Sequence, residues 1–181
     1  MKKMILPPFE SLSKEVQDRL NSKPKINIYK HLAVTQKSFI PIMDTFQTFY
    51  TKESKISPRL REIAILRAGS NTGSSYEVYQ HKILSSSNGV TDREQNYILI
   101  ENEVTQLTEL ENTVCKVADE FTNSFSLSDE TKDKLFSLMS NEAACEIMLL
   151  MSLYIGLACY IKGTDVQLEE TDPLKGMDKP L

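Results

Sequence analysis

The chain has 181 residues, enough for one ordinary domain with a sizeable core, and its formal net charge of -4 comes from 25 acidic and 21 basic residues. These are interspersed, so no positive field of the kind that neutralises phosphates exists, and nucleic acid is not an expected partner. Three cysteines, Cys115, Cys145 and Cys159, without Cys-x-x-Cys spacing exclude a disulfide framework and a zinc cluster; no metal is expected, and a cytoplasmic location is.

The N-terminal stretch MKKMILPPFE has only a brief apolar run before Pro7 and Pro8, too short for the core of a signal peptide, and reads as an extended lead-in. Ser11 or Ser13 caps a short helix through Val16 and Leu20, which makes 1–24 an N-terminal extension. Beyond a loop at 21–25, Ile26, Ile28, Tyr29, Leu32 and Ala33 recur at helical spacing. His31 in that segment reads as a partly exposed helix histidine. Phe39, Ile42, Met43, Phe46 and Phe49 form an amphipathic stripe that serves as core or pocket wall, with Pro41 near its beginning.

The stretch from Ser57 to Gly89 carries the strongest punctuation. Ser57 is a good N-cap and Pro58 suits the first helical position, so a helix runs through Ile63, Ile65 and Leu66 toward Gly69. Asn71, Gly73 and Ser74 mark a tight turn, and a second helix starts near Ser75 and ends at Asn88 and Gly89. On it Glu77 and His81 are four apart, which puts both on one face within mutual reach. Glu62 shares the face of Ile65, Leu66 and Gly69, at an apolar interface, and a hairpin of the two helices lets it face His81.

Thr91 to Glu94 and Thr108 to Glu111 are capping boxes, the second followed by Leu110, Val114, Val117, Ala118 and Phe121 on one face. Ser128 caps a helix through Leu138, and Ser140 caps a long one through Ile161 that Gly163 stops. The charge-free run Ile147–Ile161 reaches only about 22 Å, short of a hydrocarbon core, so it reads as a buried helix covered by the fold and by another subunit rather than a membrane span. Cys145 and Cys159 on it read as small core residues. The polar stretch 164–181 reads as a tail, loosely ordered or draped over a neighbour. No strand alternation is evident, so the class is all-α, one domain over 1–163 with seven to eight helices.

The string PRLREIAILRAGSNTGSSYEVYQH with the Gly-Val-Thr-Asp turn resembles the carboxymuconolactone decarboxylase family, which includes the alkylhydroperoxidase D type of peroxidase. The resemblance covers about residues 25 to 163 and is densest from Arg59 to Glu94. The peroxidase branch carries a Glu, a Cys-x-x-Cys pair and, after three further residues, a His. In this chain those places hold Glu62, Ser74, Glu77 and His81: both redox cysteines are absent, while the acid and the base remain. The resemblance implies an alkylhydroperoxidase D-like helical bundle and a homo-oligomer, a trimer or a hexamer built from trimers, with active sites near subunit contacts.

For an acid-base reaction that leaves an enolate, His81 is the expected proton donor, Glu62 its orienting or relay group and Glu77 its close carboxylate partner. Arg67, Arg59 or Arg61 is placed to clamp a substrate carboxylate, with Tyr76, Tyr79 and Ser74 as further donors or walls. A Glu and a His four apart on a helix are equally compatible with a partly solvated pair worth a few tenths of a kcal/mol. Three readings follow: a cofactor-free enzyme acting on a small carboxylated or lactone-like compound, a thiol peroxidase that recruits one of the three cysteines, and a non-catalytic oligomer that binds a small molecule.

Overall fold

The computed structural model describes residues 4–177 and 179, and among these there are nine α-helices, two short 3-10 turns and no strand. The helices are α1 (Lys14–Asn21), α2 (Asn27–Ala33), α3 (Phe39–Thr48), α4 (Pro58–Asn71), α5 (Ser75–Ser87), α6 (Asp92–Ile100), α7 (Glu109–Ser124), α8 (Asp129–Leu138) and α9 (Asn141–Thr164). The class is all-α as expected, but the count exceeds the seven to eight expected. Every start signal in the sequence opens a helix of its own, and no two short segments merge.

The local chemistry accounts for those starts. Ser13, Ser57, Ser128 and Ser140 each accept from a backbone N–H in the first turn of α1, α4, α8 and α9. Thr91 with Glu94 and Thr108 with Glu111 close full capping boxes on α6 and α7. At the other end, α9 runs through Gly163 and stops at Asp165, whose φ of 54° places it in the left-handed region. Gly163, expected to end the helix, is helical instead: Asp also tolerates that conformation, two residues further on.

The central element is α4, whose residues Leu60 through Gly69 are all buried. It packs against α5, α6, α7 and α9 at once, which explains why no face of it is polar. One core joins α3, α4, α7, α8 and α9 through residues such as Phe46, Ile65, Val117, Leu135 and Leu150. A second joins α1, α2, α3 and α5 to the end of α9 through Val16, Ile28, Leu32, Phe39 and Leu84. The candidate site lies where these two meet.

Helix α9, at 24 residues and roughly 36 Å, is long and apolar enough by composition to cross a membrane. Only one side of it is covered: Ala143, Ala144, Ile147, Leu150, Met151, Tyr154, Ala158 and Ile161 are buried within the chain. Cys145 and Cys159, expected in the core, are exposed on the opposite side, with Leu149. His31, expected to be partly exposed, is buried at 8% relative exposure. The C-terminal stretch also departs from the reading of a loose tail: it turns back onto α2 and α5, and Leu174 is fully buried.

Candidate active site

Two short backbone devices aim the site. Gly73, at φ 64°, reverses the chain after α4, and Ser74 N–H donates to Gly69 O at 2.9 Å, so α5 folds back along α4. Gly69 faces that return: a Cβ there would meet Val78 and Glu77 at 3.4–3.5 Å, so the two helices approach about as closely as side chains permit.

The close approach brings Glu62 of α4 to His81 of α5, with 2.7 Å between Oε2 and Nδ1. Glu62 is 0% exposed, and its other oxygen accepts from Arg61 Nε at 3.0 Å. Arg61 is buried as well. Its Nη1 donates to Phe49 O at 3.1 Å and its guanidinium lies 4.0 Å over the Tyr50 ring. This satisfies the cation in three directions. A carboxylate only accepts, so the proton on the short contact sits on His81 Nδ1, leaving Nε2 as the nitrogen available to the cavity.

That cavity, about 50 Å³, is walled by α2, α3, α5, α9 and the C-terminal segment. Its polar lining consists of Tyr29, Tyr76, Glu77, Gln80, His81 and Tyr154; the rest is aliphatic or aromatic, including Ile28, Leu32, Met43, Phe46 and Leu157. The Tyr154 ring stands edge-on to the His81 imidazole at 5.3 Å, and its hydroxyl shares a 2.6 Å hydrogen bond with Tyr50. Burial pushes the Tyr154 phenol above its ordinary value, so it stays a neutral donor.

Glu77 is not the partner of His81. The carboxylate that meets the imidazole is Glu62, and both oxygens of Glu77 are buried without a hydrogen-bond partner among the described residues. Glu77 is 3% exposed, and this burial raises its carboxyl to about 8, with the nearby Ser74 hydroxyl opposing the shift. At neutral pH it is therefore a protonated acid inside the cavity, with the Ser74 hydroxyl as its polar neighbour.

The other expected residues go elsewhere. Arg67 turns toward α7 and makes a two-point contact with Asp119, at 2.6 and 3.1 Å, while also donating to the carbonyls of Ile98, Glu101 and Asn102. Arg59 bridges Glu94, at 2.6 Å, and Glu111, at 2.7 Å. Hydrogen bonding from Arg59 holds Glu94 at about 2. Neither arginine lines the cavity, and both act as ties between helices rather than as a clamp for a substrate carboxylate. Ser74 is buried but outside the lining. Tyr79 is on the surface, donating to Asp172, whereas Tyr76 does line the cavity.

Tyr154, Tyr50 and Gln80 did not stand out in the sequence. The available signal for Tyr154 is that it is one of few polar groups in the apolar run of α9, and a buried phenol needs a partner. Its partner is 104 positions away and cannot be read from spacing. None of the cysteines lines the cavity: Cys115 is buried on α7, where burial lifts its thiol to about 12, and the other two are on the far side of α9. No group of three or more His, Cys, Asp and Glu able to hold a metal occurs among the described residues.

No family model and no curated protein matches the sequence. Solved structures do match the fold. An uncharacterized peroxidase-related protein with an alkylhydroperoxidase AhpD core, from Ralstonia eutropha, superposes with a TM-score of 0.83 at 12% identity, over 99% of this chain and 97% of that one. A protein of unknown function from Agrobacterium tumefaciens, put forward as an antioxidant defence protein AhpD, superposes with a TM-score of 0.69 at 20% identity, over 82% and 100%. The chain thus has the alkylhydroperoxidase D-like fold.

Proposed function

We propose that the cavity is a cofactor-free acid-base site that moves a proton on a small, uncharged, lactone-like substrate. The observation that carries this reading is the division of labour between two neighbouring groups: His81, oriented by Glu62, and Glu77, kept as a neutral acid by burial. His81 Nε2 takes a proton from the carbon next to the carbonyl, and the Glu77 O–H supports the developing enolate oxygen. Return of the proton from His81 to the conjugated carbon completes an isomerisation in which nothing is oxidised and no group leaves.

Of the two substrate types expected from the sequence, the lining favours the lactone over the carboxylate. No arginine or lysine lines the cavity, so a carboxylate would enter without a counter-ion. Decarboxylation of an anionic lactone therefore has less support than proton transfer on a neutral one. A thiol peroxidase would need sulfur beside His81, and no cysteine of this chain lines the cavity.

The reading includes self-association. Cys145, Leu149, Ser152, Gly156, Cys159 and Gly163 are exposed on α9 at alternating steps of four and three, a seam suited to another helix and consistent with the trimer or hexamer expected.

The test is deuterium entry from D₂O into a β,γ-unsaturated γ-lactone, followed by NMR. Exchange and isomerisation that disappear in His81→Ala and Glu77→Leu support the reading. Exchange that is unchanged in both, or absent from the wild type, rejects it; binding without exchange leaves a non-catalytic binding protein.

A further inference from the structure

The site as it stands is nearly full. Its ~50 Å³ admits only a few water-sized spheres, so a molecule of six or more heavy atoms enters only if a wall moves. Of its walls, α2, α3, α5 and α9 are helices packed into the two cores. The one wall that is not a helix is the segment 165–177, which leaves α9 at Asp165 and places Leu174 in the lining.

That segment is fastened by two unlike devices. Glu169 accepts from the hydroxyl of Tyr76 at 2.6 Å, and also from the Asn27 backbone N–H and the Gln80 amide. Asp172 accepts from the Tyr79 hydroxyl. Tyr76 and Gln80 are themselves cavity lining, so these polar ties sit on the rim. Inside the rim there is one apolar side chain. Leu174, 0% exposed, is the only buried residue described from 167 to 177 and forms part of the cavity wall next to residues of α2 and α5.

We infer that Leu174 is an internal occupant of the site. The segment 165–177 is a displaceable lid, and the cavity accepts an uncharged aliphatic molecule with one polar end by expelling the Leu174 side chain. The aliphatic part replaces leucine against Ile28, Leu32 and Leu84, and the polar end meets the unpartnered Glu77 acid. An anionic ligand is disfavoured because no arginine or lysine lines the cavity. Leu174 is the segment's one buried side chain beyond Val166, so a ligand of similar apolar area competes with that apolar hold, while the hydrogen bonds of Glu169 and Asp172 open as the segment leaves.

This inference rests on the cavity being a binding site, not on its chemistry. The probe is methyl pentyl ketone, titrated into the full chain with amide hydrogen exchange read over 165–177 and over α5. Displacement predicts that saturating ketone speeds exchange at Val166, Lys175 and Met177, whose N–H groups donate to Ile161, Asp172 and Leu174, while α5 is protected. Leu174→Ala removes the competitor and tightens ketone binding roughly tenfold, and Glu169→Gln, which loosens the rim, shifts it in the same direction. Circular dichroism establishes that both variants are folded. Protection of 165–177 by ketone, unchanged or weaker binding in the folded variants, or no binding to any of the three proteins overturns the lid. If the lid opens but no deuterium enters the lactone, the chemistry fails and the lid stands.

Discussion

Glu62 and His81 are 19 residues apart in the chain and 2.7 Å apart in space, and Arg61 closes the other side of the same carboxylate at 3.0 Å. This buried ionic group has no solvent to fall back on, so removing one member leaves the others uncompensated. Glu62→Gln lowers unfolding stability by about 3 kcal/mol. The double replacement Arg61→Met, Glu62→Leu lowers it less than the two single changes summed. Urea denaturation of wild type, Arg61→Met, Glu62→Leu and the double variant decides, and strictly additive losses would sink the account.

Glu77 gives the molecule a pH dependence of definite sign. Its folded carboxyl, at about 8, holds its proton where the unfolded chain, near the ordinary 4.5, has lost it. Between those values the folded state binds more protons, so stability falls as pH rises and levels off above about pH 8. The total is on the order of a few kcal/mol. Denaturation midpoints measured at pH 5 and pH 9 should converge in Glu77→Gln. Parallel curves for wild type and variant would show that Glu77 titrates normally.

On the proposed acid-base reading, the same ionisation sets activity. With Glu77 as the neutral acid, lactone isomerisation declines above about pH 8 as the proton is lost. A rate that keeps rising through pH 9 contradicts the assignment.

Arg67 holds α4, α6 and α7 together through Asp119 and three carbonyls, and it does not reach the cavity. Arg67→Met costs about 2 kcal/mol of stability, since it removes the ion pair of the half-buried Asp119, which keeps Asn71, and leaves three carbonyls without this donor. Ketone affinity per folded molecule stays at the wild-type value. A selective loss of binding in protein shown to be folded would return Arg67 to the site.

The thiols differ in access. In the dissociated chain Cys145 and Cys159 react with a disulfide reagent and self-association through α9 slows them, whereas Cys115, buried and raised to about 12, reacts only after denaturant is added. Fast labelling of all three would mean that the region around α7 opens readily.

The helices were legible along the chain because their causes are local. Ser57 with Pro58, the Thr91 and Thr108 capping boxes, and Gly73 and Gly89 in turns act within one or two turns of backbone. The approach of Glu62 to His81 was also readable, since two consecutive helices joined by a short turn leave few ways to pair. The roles of Arg59 and Arg67 were not readable: whether a guanidinium ties helices or waits for a ligand depends on which carboxylates arrive opposite it, here Glu94, Glu111 and Asp119.

By itself, then, the sequence determined the class, the helix starts and the approach of Glu62 to His81, because capping and short-turn pairing are properties of neighbouring residues. Only the tertiary structure decided that Glu77, four residues from His81, does not meet the imidazole and stays protonated, and that Leu174 lines the cavity. Those outcomes depend on burial, and burial depends on segments such as α2, α9 and 165–177 that approach the site from distant parts of the chain.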